Sequence, residues 1–177
     1  MSYLTTQTPD NATGDVAAVY QEIASLFGGV PSILQALSTS PFLLRQQWEF
    51  IKYSLKNPNL SGALQACIRM TVSQQTTCAY CVDMNAGMLV NMFGWTLEQV
   101  EATKADPANA NLPARETALL LFVLKAVKDS HSTTQADVDG VRAADYSDED
   151  IFNALAIGAR MVAGDIMANA LHVERDF

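Results

Sequence analysis

Cys78-Ala79-Tyr80-Cys81, running on into Val82-Asp83-Met84-Asn85-Ala86-Gly87-Met88-Leu89-Val90-Asn91-Met92, is the stretch that decides how this chain folds. A break at Thr76-Thr77 precedes it and Gly94 follows it, so the run reads as one helix with two cysteines on its first turn. Free N–H groups and the helix dipole at that end favour a thiolate. A three-residue step also lets the two sulfurs approach, so that one attacks and the other resolves. Cys78, Cys81 and Asn85 stand at i, i+3 and i+7, on one face, which brings the Asn85 amide within reach of the sulfurs. The motif alone has three uses: redox chemistry, inert packing of small thiols, and metal binding. A structural zinc takes about four ligands. His131 and His172 lie far from the motif without ligand spacing, and Cys67 sits on another helix, where a buried core thiol is expected. No metal and no cofactor is expected.

The rest of the chain repeats the helical pattern. Val16, Val19, Tyr20, Ile23 and Phe27 recur at three- and four-residue steps, and Gly28-Gly29 ends that helix. Ser40-Pro41 opens a helix striped by Leu44, Trp48, Ile51 and Leu55. Leu60 to Gln75 is expected to form another, carrying Leu64, Ile68, Thr71 and Val72 on one face. Thr96 with Gln99 reads as a capping box, and Asp106 to Leu112 as a loop. Pro113 opens a helix whose centre, Ala118 to Leu124, is apolar all round and so expected to be buried on every side, in the core or in a subunit interface. Thr134 and Ser147 start the last two helices. No segment reads as a strand, so the fold class is all-α, a helical bundle. Residues 1–13 are expected to be a polar N-terminal arm, loose or laid over a neighbour, and residues 14–177 one helical domain with the C-x-x-C core at about 58–130.

The chain has 177 residues, 49% of them hydrophobic and 17% charged, which fits a folded protein. Its net charge of -8 repels phosphate backbones and anionic lipids, so neither nucleic acid nor a membrane is an expected partner. The first residues lack the charged and apolar regions of a secretory signal, and the longest apolar run is too short for a span; the expected location is cytoplasmic.

The motif and its flanks carry a resemblance. Gly29-Val30-Pro31, Ser40-Pro41-Phe42-Leu43-Leu44, Leu60-Ser61, the C-A-Y-C run, Leu112-Pro113-Ala114-Arg115-Glu116 and Tyr146-Ser147-Asp148-Glu149-Asp150-Ile151 together resemble the carboxymuconolactone decarboxylase and alkylhydroperoxidase D-like family, in its single-motif, peroxidase-related type. The resemblance implies an all-α, homo-oligomeric protein, a trimer or hexamer. It also implies a peroxiredoxin-type alkylhydroperoxidase or disulfide oxidoreductase, with Cys78 and Cys81 cycling against a hydroperoxide or disulfide substrate and a dithiol reductant restoring them.

One departure limits it. The family's proton relay uses a glutamate twelve positions before the first cysteine and a histidine four after the second; here those positions hold Ala66 and Asn85. Alanine cannot carry a proton and an amide does not titrate usefully. General acid–base help is worth about two to four orders of magnitude, so weak peroxidase activity is expected. Alternatives are a non-catalytic oligomeric module of the same fold, favoured by the missing relay, and a decarboxylase-like enzyme acting on a cyclic lactone acid. The resemblance favours Cys81 as the sulfur that meets peroxide, whereas the helix start favours Cys78.

Two charged residues stand out. Arg69 lies one turn beyond Ala66 on the same side of its helix, with Ser73, where a cation would lower a cysteine pKa. Asp165 falls inside the stripe Ile151, Leu155, Val162 and Ile166 of the last helix, where a carboxylate needs a partner. Structural pairing and a role near the thiols are both open to it. Gly158, Ala159, Ala163 and Gly164 on that helix allow close helix approach, as an oligomer interface would use.

Overall fold

A computed structural model describes residues 3–175. Among the described residues there are nine α-helices, three short 3-10 turns and no strand. The helices are α1 (Gly14–Phe27), α2 (Ser32–Ala36), α3 (Pro41–Leu55), α4 (Gly62–Gln75), α5 (Ala79–Phe93), α6 (Leu97–Ala105), α7 (Ala114–Lys128), α8 (Gln135–Ala143) and α9 (Asp148–Ala170). The chain divides into two compact units, one of residues 1–56 with 167–177 and one of residues 57–166.

In the first unit α1 packs on α3. Val16, Val19, Tyr20, Ile23, Val30, Leu34, Leu44 and Trp48 form its core. Gly28 ends α1 with φ at 78°, the left-handed conformation that glycine reaches without strain. Above this core Glu22 accepts hydrogen bonds from Trp48 Nε1 at 2.7 Å and Lys52 Nζ at 2.8 Å, with Arg45 at 3.2 Å. The polar arm is not loose over its described part. The Gln7 N–H donates to Ser38 Oγ at 2.8 Å, and the Tyr20 hydroxyl donates to the Gln7 carbonyl at 2.8 Å.

In the second unit α4 is the central helix, packed on α5 and α7. Its first residue is Gly62, two later than the expected Leu60, because Ser61 serves as the cap and accepts the Leu64 N–H at 3.1 Å. Leu64, Ala66, Cys67, Ile68, Met70 and Val72 are all buried, so α4 is enclosed over most of its surface. The capping box at Thr96–Gln99 forms as expected, and so does one at Thr134–Asp137. Within this chain Leu119, Leu120 and Val123 of α7 are enclosed, and Leu121 is 41% exposed. A 3-10 turn at Pro107–Asn109 interrupts the expected loop.

α9 is held to the second unit at three heights. At its start Asp150 bonds Ser147 in a capping arrangement and accepts from Asn57 and Asn59 side chains at 3.2 to 3.4 Å. In its middle Gly158 lets the helix approach α7 so closely that an added Cβ would stand 2.6 Å from Val123 Cγ1. The close approach offered by that glycine is thus made within the unit itself. Near its end Asp165 is fully buried. The inward face of α9 is therefore Ile151, Ala154, Ile157, Gly158 and Asp165, whereas Ile166, expected inside, is 61% exposed. The seven-residue steps from Ile151 through Gly158 to Asp165 return to one side of the helix, which is why a carboxylate points inward. By length and composition α9 also meets the measure of a membrane span, with a third of that window buried inside the protein.

Candidate functional site

The C-terminal turn of α4 and the first turn of α5 meet at a tight corner. Thr77 makes the corner, with φ at 57°. That left-handed conformation is strained for a β-branched residue. It directs the Cys78 N–H onto the Ser73 carbonyl at 3.0 Å and leaves Cys78 as the N-cap of α5. The Cys78 sulfur then accepts the Cys81 N–H at 3.4 Å, the position a Ser or Asp oxygen occupies in an ordinary cap. Cys78 Sγ and Cys81 Sγ lie 2.7 Å apart, and both cysteines are free thiols. Cys78 is 1% exposed and Cys81 is closed to solvent.

Burial reverses one expectation. The helix start was expected to lower the thiol pKa values, but both are raised. For Cys78 desolvation is the main cause; the hydrogen bonds with the Cys81 thiol and N–H oppose it, and Asp165 adds to it. For Cys81 desolvation acts most strongly, and the Asp165 hydrogen bond, then Cys78, push the same way. Cys78 keeps the advantage expected of the N-cap sulfur, because only its anion receives the backbone N–H.

Asn85 and Arg69 are brought together, but not onto the sulfurs. Arg69 Nε donates to Asn85 Oδ1 at 2.8 Å, and Asn85 Nδ2 donates to the Cys81 carbonyl at 2.8 Å. The amide expected to reach the sulfur pair thus braces the α5 backbone beneath Cys81, and Arg69 braces the amide. Arg69 keeps some accessible surface, yet desolvation still draws its guanidinium down to about 10, so it remains a cation at neutral pH. Its charge opposes the rise at Cys67, which burial pushes up to about 12 with Glu116 adding to the rise. Ala66, at the position of the relay glutamate, is buried and apolar.

The residue that does reach the sulfurs is Asp165. Its carboxylate and the two Sγ atoms all lie within 4.8 Å of one another. Ser73 Oγ donates to Oδ1 at 3.0 Å and Thr76 Oγ1 to Oδ2 at 2.5 Å. Ser73 and Thr76 were not foreseen as partners of Asp165. The available signal was two hydroxyl residues in the turn before a C-x-x-C, facing a helix with an acid in its apolar stripe. Two thiols and a carboxylate could hold a metal ion as three ligands. A structural zinc site has about four, and Ser73 and Thr76 already engage both carboxylate oxygens.

No family model matches this chain, and no curated protein sequence matches it. Solved structures do. A peroxidase-related protein from Ralstonia eutropha, described as an alkylhydroperoxidase AhpD core, superposes with a TM-score of 0.86 at 24% identity, over 99% of this chain and 92% of that one. A peroxidase-related protein from Silicibacter gives 0.85 at 20% identity, over 98% and 91%. The debrominase Bmp8 gives 0.80 at 16% identity, over 99% and 93%. A cysteine-to-alanine variant of Bmp8 in complex with 2,3,4-tribromopyrrole matches as well. The all-helical fold of this chain is thus that of the AhpD-like proteins, as the resemblance implied.

Proposed function

We propose that this AhpD-like chain is a thiol oxidoreductase, in which Cys78 and Cys81 pass two electrons to a small oxidant and close to a disulfide. The observation that carries this reading is the 2.7 Å approach of the two sulfurs across one helical turn, close to bonding distance for a disulfide of about 2.05 Å. Cys78 is the attacking sulfur, because the Cys81 N–H stabilises its anion. With a hydroperoxide, Cys78 takes the distal oxygen as the O–O bond breaks and the alcohol leaves. Cys81 then attacks the resulting sulfenic acid, and the hydroxyl group departs with the Cys81 proton as water. An external dithiol reduces the disulfide and restores the pair.

Burial favours a small substrate over a protein disulfide, since neither sulfur is open to a folded partner. The buried Ala66 and the braced Asn85 leave the usual relay positions without a titrating group, which supports slow turnover of peroxide. The test is stopped-flow oxidation of the reduced protein by an organic hydroperoxide, with Cys78→Ser and Cys81→Ser as controls. Wild type should lose two thiols faster than free cysteine; loss at the rate of free cysteine would end the reading. A second reading, favoured by the debrominase among the fold neighbours, makes the oxidant a halogenated aromatic. There the dithiol would supply the two electrons that replace a carbon–bromine bond by carbon–hydrogen, with bromide leaving. Bromide release from a bromopyrrole by the reduced protein separates the two.

The same reading includes self-assembly. Phe152 is 72% exposed and Ile166 61% on α9, an apolar surface that a second copy of the chain would cover. Light scattering should give a multiple of 19.2 kDa, and a mass of one chain would refute it.

A further inference from the structure

Among the described residues, Asp165 is a buried carboxylate with no cation beside it. Ser73, Thr76 and the two thiols are what meet it, and among those residues no ion pair with a Lys, Arg or His side chain holds it. A carboxylate buried this way costs free energy that a well-packed apolar residue would avoid. A purely structural duty therefore explains it poorly. It lies within 4.8 Å of both sulfurs; of the two, Cys81 is the one whose proton is harder to remove, and among the described residues its sulfur, unlike that of Cys78, accepts no backbone N–H.

We infer that Asp165 is the catalytic base for Cys81, taking the Cys81 thiol proton as that sulfur attacks the oxidised Cys78 and so standing in for the absent glutamate and histidine. The inference rests on the redox reading of the Cys78–Cys81 pair. In the resolving step the Cys81 S–H bond breaks and its proton moves to an Asp165 oxygen. The Cys81 electron pair forms the bond to Cys78 Sγ, and the group leaving Cys78 departs with its electron pair. Asp165 then returns the proton to that leaving group. Ser73 and Thr76 keep the carboxylate aimed through the step, and Thr77 holds Cys78 at the corner where the new bond forms. The titrating groups that face Cys81 are Cys78 on the same turn and Asp165 from α9.

The test uses the whole reduced protein and methyl methanethiolsulfonate, a small reagent with one reactive sulfur. Cys78 attacks that sulfur, methanesulfinate leaves, and a methyl mixed disulfide forms on Cys78. Cys81 then attacks Cys78 Sγ, the bond to the methylthio sulfur breaks, and methanethiol leaves with the proton from Asp165. Acid quench and intact mass follow the two steps separately, and Cys81→Ser should stop at the mixed disulfide.

Asp165→Asn should move the steps in opposite directions. The first should quicken, because the neighbouring anion that opposes a Cys78 thiolate is gone. The second should slow by about a hundredfold or more, the usual scale of lost base assistance. A folded Asp165→Asn protein with an unchanged or faster second step overturns the inference, and so does one that slows both steps alike. Should that variant fail to fold, wild type in heavy water decides: the second step should slow and the first should not, and an unslowed second step overturns the assignment. A reduced protein that retains zinc through chelation also overturns it, because Asp165 would then be a ligand. If wild type forms no mixed disulfide while its denatured chain reacts freely, the redox reading itself falls and removes the need for a base.

Discussion

Gly158→Ala and Gly164→Ala lie six residues apart on α9, and the structure assigns them opposite signs. In a helix interior alanine is favoured over glycine by about 0.5–1 kcal/mol, because glycine loses more freedom on folding. That gain is common to both substitutions. At Gly164 the new Cβ has only Met161 Cε near it, at 3.9 Å, an ordinary contact. The full gain should appear there, raising the melting temperature by about 1–4 °C. At Gly158 the Cβ would stand 2.6 Å from Val123 Cγ1 and 3.2 Å from Val127 Cγ2. Both neighbours are β-branched residues on α7, stiff about χ1 in a helix, so they cannot turn away cheaply. Overpacking of this kind costs about 1–3 kcal/mol, which exceeds the propensity gain. Gly158→Ala should therefore lose roughly 1 kcal/mol net, and the difference between the two variants, about 1–3 kcal/mol, isolates the clash. Urea unfolding at constant slope is the assay, and Val123→Ala in the Gly158→Ala background should recover part of the loss. Equal stabilisation by both substitutions would refute the close approach of α9 to α7, and with it the placement of Asp165.

Three further outcomes are expected. Hydrogen bonds from Lys52 and Trp48 hold the Glu22 carboxyl at about 2, below its ordinary value, so its contribution is present above about pH 4.5 and lost as the pH falls towards 2. Glu22→Gln should flatten the acid limb of stability in that window, by a modest amount because the side chain is 41% exposed; an unchanged limb in urea melts against pH would contradict this. Thr77→Gly should stabilise the protein by up to about 1 kcal/mol, since the left-handed cost of about 1–2 kcal/mol outweighs the added freedom of glycine; a loss of stability in the same melts would show that the Thr77 side chain does more than turn the corner. Cys67, with its thiol pushed up to about 12, should escape iodoacetamide in the folded protein at neutral pH and react only on unfolding; peptide mass mapping that finds it labelled alongside Cys78 would contradict its burial.

The sequence by itself determined what local chemistry decides. Helix starts were legible at Thr96 and Thr134 because a cap is a contact between residues three apart. The stop at Gly28 was legible because a left-handed residue selects glycine. The dithiol was legible because its two sulfurs share one turn of one helix. Their proton chemistry was not, since burial is a property of everything packed around α5, and desolvation there outweighs the helix start that the motif advertises. Asn85 was placed on the correct face, but its amide turned to Arg69 and to the Cys81 carbonyl, partners chosen by the α4–α5 packing. Asp165 was recognised as a carboxylate needing a partner, and of the apolar stripe assigned to its helix Ile151 is buried whereas Ile166 lies outside. Only the tertiary structure brought residues 73, 76, 78, 81 and 165 together, because the contact between Asp165 and the α4–α5 corner spans about ninety residues of chain and depends on how α9 lies against that unit.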